Sequence, residues 1–272
     1  MRKSYPIRCA VVASGYHRGG RVEETITERE VSKVDRFWEV DAARGVAILM
    51  MVLYHLTYDL DTFGGYAIDS TSGLWALFAD ATATLFLFLV GVSLIVSFAK
   101  SGGRGTFGKF LTRGLRVFGY GLIVTVVTWF LGMGLIVFGI LHLIGACIIL
   151  AYPFLRHRNL SLVVGFAVIA AGAWLMSQNI VTQSPWLLPF GVVPERLFMP
   201  DYRPLLPWFG VVLLGVFVGS LIYGGVRRPG GRTPLWARPV GFLGRWSLGI
   251  YLVHQPVLVA VLGALGVIEL NF

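Results

Sequence analysis

The stretch VFGYGLIVTVVTWFLGMGLIVFGILHLIGACIILAYPFL, from Val117 to Leu155, contains no lysine or arginine. It is bounded by Arg116 and Arg156. A transmembrane helix takes about 20 mostly apolar residues, so the stretch accommodates a two-helix hairpin turning at Gly132-Met133-Gly134. Its apolar residues run continuously and do not alternate in twos, which argues against an outer-membrane β-barrel. On the N-terminal side, similar runs occupy about 40–58, 74–98 and 111–131; on the C-terminal side they occupy about 160–177, 204–224 and 243–265. With the second half of the hairpin at about 135–155, seven spans are expected. The fold class is therefore all-α, a polytopic membrane helix bundle.

Composition agrees. Of the 272 residues, 56% are hydrophobic and 14% charged. Mean hydropathy is +0.74. A soluble domain carries about 25% charged residues, so a soluble domain, a disordered chain and a coiled coil are all excluded. The only cysteines, Cys9 and Cys147, exclude a disulfide scaffold.

The net charge of +9 raises the possibility of nucleic acid binding. Its distribution gives another reading. Basic residues fill 1–44, the loop with Lys100, Arg104, Lys109, Arg113 and Arg116, the turn with Arg156 and Arg158, and the segment with Arg227, Arg228, Arg232, Arg238 and Arg245. Only Arg196 and Arg203 fall in the intervening loops. By the positive-inside rule the N-terminus is cytoplasmic and the C-terminus outside, and no nucleic acid partner is needed. Residues 1–36 read as a disordered cytoplasmic tail without an apolar signal core. Segment 178–203, rich in proline, reads as an interfacial or re-entrant lid.

Ionisable groups inside spans are costly and mark the working interior. The first span carries Asp41, Arg44, His55 and Asp59. At 100° per residue Arg44 and His55 share a face, about 20° apart and about 16 Å apart along the axis. Asp41 and Arg44 also stand at the spacing of a local ion pair that merely anchors the helix end. Asp80 in the second span and His142 in the fourth enter at a depth similar to that of His55. A histidine with a carboxylate partner is a general base near neutral pH, although a lone buried histidine is as often structural. His254-Gln255, ahead of Pro256, adds a polar point in the last span. Gly103-x4-Gly108-Lys109 lacks the Ser or Thr of a P-loop. No lysine lies inside a span for a retinal Schiff base. His142 and Cys147 lack metal-ligand spacing, and no metal is expected.

Five segments then carry a resemblance. They are Asp41-Ala-Ala-Arg44-Gly45-Val-Ala47 with Tyr54-His55; Ala79-Asp80 with Phe86-Leu-Phe-Leu-Val-Gly91; Gly139-Ile-Leu-His142-Leu-Ile-Gly145; Asp201-Tyr202-Arg203-Pro204-Leu-Leu-Pro207-Trp208-Phe209-Gly210; and Leu243-Gly-Arg-Trp-Ser247 through Tyr251-Leu-Val-His254-Gln255-Pro256. Together, in order, they resemble the heparan-alpha-glucosaminide N-acetyltransferase-like catalytic domain family over about 36–258. The resemblance implies a transmembrane acyltransferase domain over 37–272, in the cytoplasmic membrane of a prokaryote. It would move an acetyl or other acyl group from cytoplasmic acyl-CoA to an extracytoplasmic sugar amine or hydroxyl. A homodimer is a further implication.

The lysosomal relatives place their catalytic histidine in the loop after the first helix. Here that loop holds Asp59, Asp61 and Asp69 but no histidine. Related polysaccharide O-acyltransferases have a histidine where this chain has His55. The base is therefore assigned to His55, oriented by Asp59 or Asp80, with His142 or His254 aiding the oxyanion or leaving thiolate. Arg44, Asp41, Arg113, Arg116 and Arg245 are expected at the CoA end. Direct transfer and an acyl-histidine route both remain open. So do two other classes: a transporter or flippase for a polar or sugar-linked substrate, and an inactive sensor or scaffold.

Overall fold

A computed structural model describes residues 37–103, 105–130, 135–178, 180, 185–194, 199, 201–224 and 233–268. The expected tail 1–36, together with Arg104, Arg196, Arg227, Arg228 and Arg232, lies outside the described residues. The helices are α1 (Trp38–Thr62), α2 (Gly73–Lys100), α3 (Phe107–Phe130), α4 (Ile140–Leu150), α5 (Arg158–Ser177), α6 (Leu205–Tyr223), α7 (Arg238–Arg245) and α8 (Ser247–Ala264). Short 3₁₀ turns sit at Tyr152–Arg156, Pro185–Phe190 and Leu235–Ala237. Among the described residues there is no strand, only an isolated bridge between Gly139 and Tyr202.

Six of these helices are long and apolar enough to cross a membrane. The span expected at about 135–155 differs: its helix has only 11 residues. Pro153 ends it, since proline lacks the N–H and its ring crowds the carbonyl one turn back. At its other end Gly139 is extended, with φ −93° and ψ −176°. The last expected span is also broken, because Trp246 separates α7 from α8 with φ −98° and ψ 12°.

Side-chain contacts tie alternate helix ends together. Phe37 packs against Tyr223 at 4.5 Å with the rings tilted, Lys100 lies over the Phe37 ring, and Tyr152 donates to the Gly105 carbonyl at 3.1 Å. At the opposite end Arg203 pairs with Asp80 at 2.8 Å, and Asp201 accepts from the Ile140 N–H at 3.4 Å. The bundle thus has an arginine-rich end and an opposite end, as the alternating loop charges require.

The core is mostly aliphatic, with Phe98, Phe110, Phe138 and Trp208 among it. Leu87 and Leu94 of α2, Leu143 of α4, and Val212, Leu213 and Val216 of α6 are fully buried. Side chains such as Ile123 and Trp129 of α3, and Val163 and Phe166 of α5, face outward. Outward apolar surface is what lipid tails solvate. Small residues let backbones approach. A Cβ on Gly91 would lie 2.1 Å from the Val212 carbonyl oxygen, and one on Gly244 only 1.7 Å from that of Asp41.

α4 begins well short of the opposite end. His142, in its first turn, packs beside Gly121 of α3, yet α3 continues to Phe130. Nine residues of helix are about 13 Å. The irregular segment before α4 fills that depth. Unpaired backbone inside a membrane costs several kcal/mol per group, so non-helical chain there must be buried in protein and satisfied. Ile136 and Phe138 are buried, Thr125 donates to the Ile136 carbonyl, and His142 Nδ1 accepts from the Gly139 N–H at 3.2 Å.

Candidate functional site

A cavity of about 320 Å³ runs between the helices, lined from α1, α2, α3, α4, α8 and the chain before α6. Its polar residues fall in groups. Arg44, Ser93 and Arg113 mark the arginine-rich end; Tyr54, His55 and Arg203 mark the opposite end; Asp201 and Tyr251 also line it. Met51, Phe86, Val90 and Ile144 supply apolar wall. Arg44 and His55 sit on the same stripe of α1, and both line the cavity as their spacing predicts.

Arg44 pairs with Asp41 at 3.8 Å and donates to Ser93 Oγ of α2, which in turn donates to the Leu89 carbonyl. The local Asp41–Arg44 pair is therefore present, but it does not exhaust the arginine. Arg113 joins Arg44 on the cavity wall, whereas Arg116 is exposed and does not line it. Asp41 and Arg245 line a different groove beside α7.

The histidines separate into two environments. His55 lines the cavity, and its ring lies 4.8 Å from that of His254. His254 Nδ1 is 2.6 Å from the Tyr251 carbonyl. A carbonyl only accepts, so Nδ1 carries the proton and Nε2 bears the lone pair. Among the described residues, His254 Nε2 and His55 Nδ1 are both buried without a partner. His142 lies elsewhere, against Phe118 and Phe138 at 4.9 Å and 6.0 Å. Because its Nδ1 accepts from Gly139, it is neutral with Nε2–H, and it is not a cavity residue.

The carboxylates are placed differently from the sequence reading. Asp80 is about half exposed, pairs with Arg203, and does not line the cavity. Asp59 is fully buried and accepts from Gln255 Nε2 at 2.6 Å, leaving its Oδ2 without a partner among the described residues. Neither bonds His55. The carboxylate that does enter the cavity is Asp201, held by the Tyr251 hydroxyl at 2.9 Å and the Ile140 N–H. Burial pushes the Asp201 carboxyl above its ordinary range, opposed by these two hydrogen bonds and by Arg203.

Asp201, Tyr251, Ser93 and Tyr54 were not among the expected site residues. One signal was available for Asp201: it sits just ahead of a span, next to Arg203 and Pro204. Among the described residues no cluster of His, Cys, Asp and Glu could hold a metal ion.

The model of the family heparan-alpha-glucosaminide N-acetyltransferase, catalytic, matches residues 36–256, and the chain belongs to this family. No curated protein and no solved structure matches the chain.

Proposed function

From that membership we propose that the chain is a membrane acyltransferase. It takes an acetyl group from acetyl-CoA at the arginine-rich, cytoplasmic end and delivers it to a sugar amine or hydroxyl arriving from the opposite side. The observation that carries this reading is the single cavity with Arg44 and Arg113 toward one end and His55 toward the other, about 16 Å along α1. Guanidinium groups suit the phosphates of CoA. The apolar wall suits the uncharged pantetheine arm, which carries the thioester inward.

His55 is the general base. The arrangement that satisfies both unpartnered nitrogens is His55 Nδ1–H directed at His254 Nε2. This leaves His55 Nε2 to take the proton from the acceptor. The deprotonated nitrogen or oxygen then attacks the thioester carbonyl. As the tetrahedral oxyanion collapses, the C–S bond breaks and CoA leaves as the thiolate. The proton held on His55 is available to it. Arg203 is the cavity donor suited to the oxyanion, since the Tyr251 hydroxyl gives its one proton to Asp201. Asp59, fixed by Gln255 one turn beyond His55, and Asp41, paired with Arg44, act on the helix face that presents these groups. Asp80 orients Arg203. His142 secures the start of α4. In this reading Arg116 draws anionic donor toward the membrane surface without touching it.

The test is turnover of labelled acetyl-CoA by purified protein with amino sugars as acceptors. Acceptor-dependent release of free CoA is expected. His55→Ala should abolish it while leaving the melting temperature in place, and Arg44→Gln should raise KM for acetyl-CoA. Undiminished turnover by His55→Ala overturns the assignment of the base. Sugar movement across vesicles with no CoA dependence replaces the transferase by a transporter.

A further inference from the structure

The groove beside α7 has a volume of about 440 Å³ and is lined by Trp38, Asp41, Thr233, Arg238, Gly241 and Arg245. Its composition is that of an anion site. Arg238 and Arg245 are exposed, and among the described residues neither pairs with a carboxylate. The groove's own Asp41 is engaged by Arg44. At 100° per residue Arg238, Gly241 and Arg245 fall within about 60° of one another on α7. Gly241 keeps that face low: a Cβ there would find its nearest neighbour 4.0 Å away.

What adjoins the arginines is equally specific. Phe242 and Trp246 stand next to them around the helix, about 40° and 80° from Arg238, and both are exposed. Leu235 and Trp236, in the turn leading into α7, are among the most exposed apolar residues of the chain at 74% and 72%. Trp236 packs edge-on to Trp38 at 5.7 Å, and Arg245 lies over the Phe242 ring at 5.7 Å. A cationic face bordered by tryptophans and aliphatics is the pattern of a helix lying in the membrane interface. A nucleotide would satisfy the arginines and stack its base on one of these rings, but Leu235, Trp236, Phe242 and Trp246 together expose more apolar side chain than one base covers. A phospholipid uses both the arginines and this apolar border.

We propose that this groove binds the phosphodiester headgroup of an anionic phospholipid of the arginine-rich, cytoplasmic-side leaflet. Arg238, Arg245 and the Thr233 hydroxyl take the phosphate, and the acyl chains lie along Phe242, Trp246 and Trp236. The cytoplasmic leaflet is where anionic lipid attracts basic segments. The same phosphate chemistry is available from CoA, and the experiment separates the two sources.

Full-length protein in neutral detergent is titrated with phosphatidylglycerol and, in parallel, phosphatidylcholine. Bound lipid is counted by native mass spectrometry. Adenosine 3′,5′-bisphosphate and CoA serve as competitors. The proposal expects a phosphatidylglycerol adduct at least tenfold tighter than the phosphatidylcholine one and unmoved by either competitor. It expects that preference to be lost in the Arg238→Gln, Arg245→Gln double variant. It also expects it to be lost in Gly241→Leu, which fills the groove without changing charge. The unliganded melting temperatures of both variants report whether they fold. Equal affinity for the two lipids, or retention of the preference in folded variants, overturns the proposal. Displacement of phosphatidylglycerol by either competitor also overturns it and assigns the groove to the donor's phosphates. None of these readouts requires turnover, so they stand apart from the transferase reading.

Discussion

Replacing Gly244 by alanine should destabilise the bundle, whereas the same change at Gly241, three residues earlier on α7, should stabilise it. A Cβ at 244 would sit 1.7 Å from the Asp41 carbonyl oxygen and 2.7 Å from its carbon. The contact is reciprocal, since a Cβ on Gly45 would meet the Val240 oxygen at 1.9 Å. Ordinary contact starts at 3.4 Å, and the obstacle is helical backbone, so no side chain can swing aside. α1 and α7 must part locally by roughly 1.5 Å, at the usual overpacking cost of about 1–3 kcal/mol. Relief of glycine's helix penalty returns about 0.5–1 kcal/mol. The net for Gly244→Ala is a loss of up to about 2.5 kcal/mol, and about 1 kcal/mol at the middle of both ranges. At Gly241 the nearest atom is 4.0 Å away, so only the favourable part remains, about 0.5–1 kcal/mol. Cys147 is free and fully buried, and so serves as its own unfolding reporter. In a Cys9→Ser background, a thiol-reactive fluorophore is followed during heating in detergent. The order Gly241→Ala, parent, Gly244→Ala from highest to lowest melting temperature is expected. Equal melting of the two variants, or Gly244→Ala at or above the parent, refutes the close approach of α1 and α7.

Gln255→Leu leaves both oxygens of buried Asp59 without a partner and should cost about 1–3 kcal/mol in the same melting assay. A Gln255→Glu variant should be worse at neutral pH than at acid pH, where one carboxyl is protonated. Tyr251→Phe removes a donor from Asp201, so the Asp201 carboxyl, already raised by burial, should rise further and stay protonated to higher pH. Isotope-edited infrared spectra of its C=O stretch follow this directly. The Arg203–Asp80 pair is partly exposed, so a double-mutant cycle with Arg203→Gln and Asp80→Asn should give a coupling of about 0–1 kcal/mol despite the 2.8 Å contact.

Hydropathy and loop charge made the bundle legible, because span length and arginine placement answer to the bilayer rather than to tertiary packing. The ends of α2, α3, α5 and α6 fall within a few residues of the expected ones. α4 escaped because an apolar run looks the same whether helical or extended; only Gly139 and Pro153 hinted at its limits. The shared face of Arg44 and His55 was also legible, since both lie on one uninterrupted helix. Asp80 was not, because α2 is apolar on nearly every side and its sequence does not say which face turns inward. Asp201 was hidden by another cause. It reaches the cavity on a non-helical segment whose return into the bundle depends on Ile140 and Tyr251, far away in sequence.

The cavity that reaches from Arg44 to His55 also has an electrical consequence. A full membrane crossing is worth about 2.3 kcal/mol per elementary charge per 100 mV. In the transferase reading proposed above, the acetyl group leaves CoA as a thiolate, so the charge moved per cycle depends on the acceptor's proton. The acceptor's proton is the charge that the field acts on. If it departs inward on CoA as the thiol, the cycle is electrically silent; if it leaves to the side from which the acceptor came, the thiolate remains inside and each turnover moves one charge. Clamping the potential of proteoliposomes during turnover would distinguish the two.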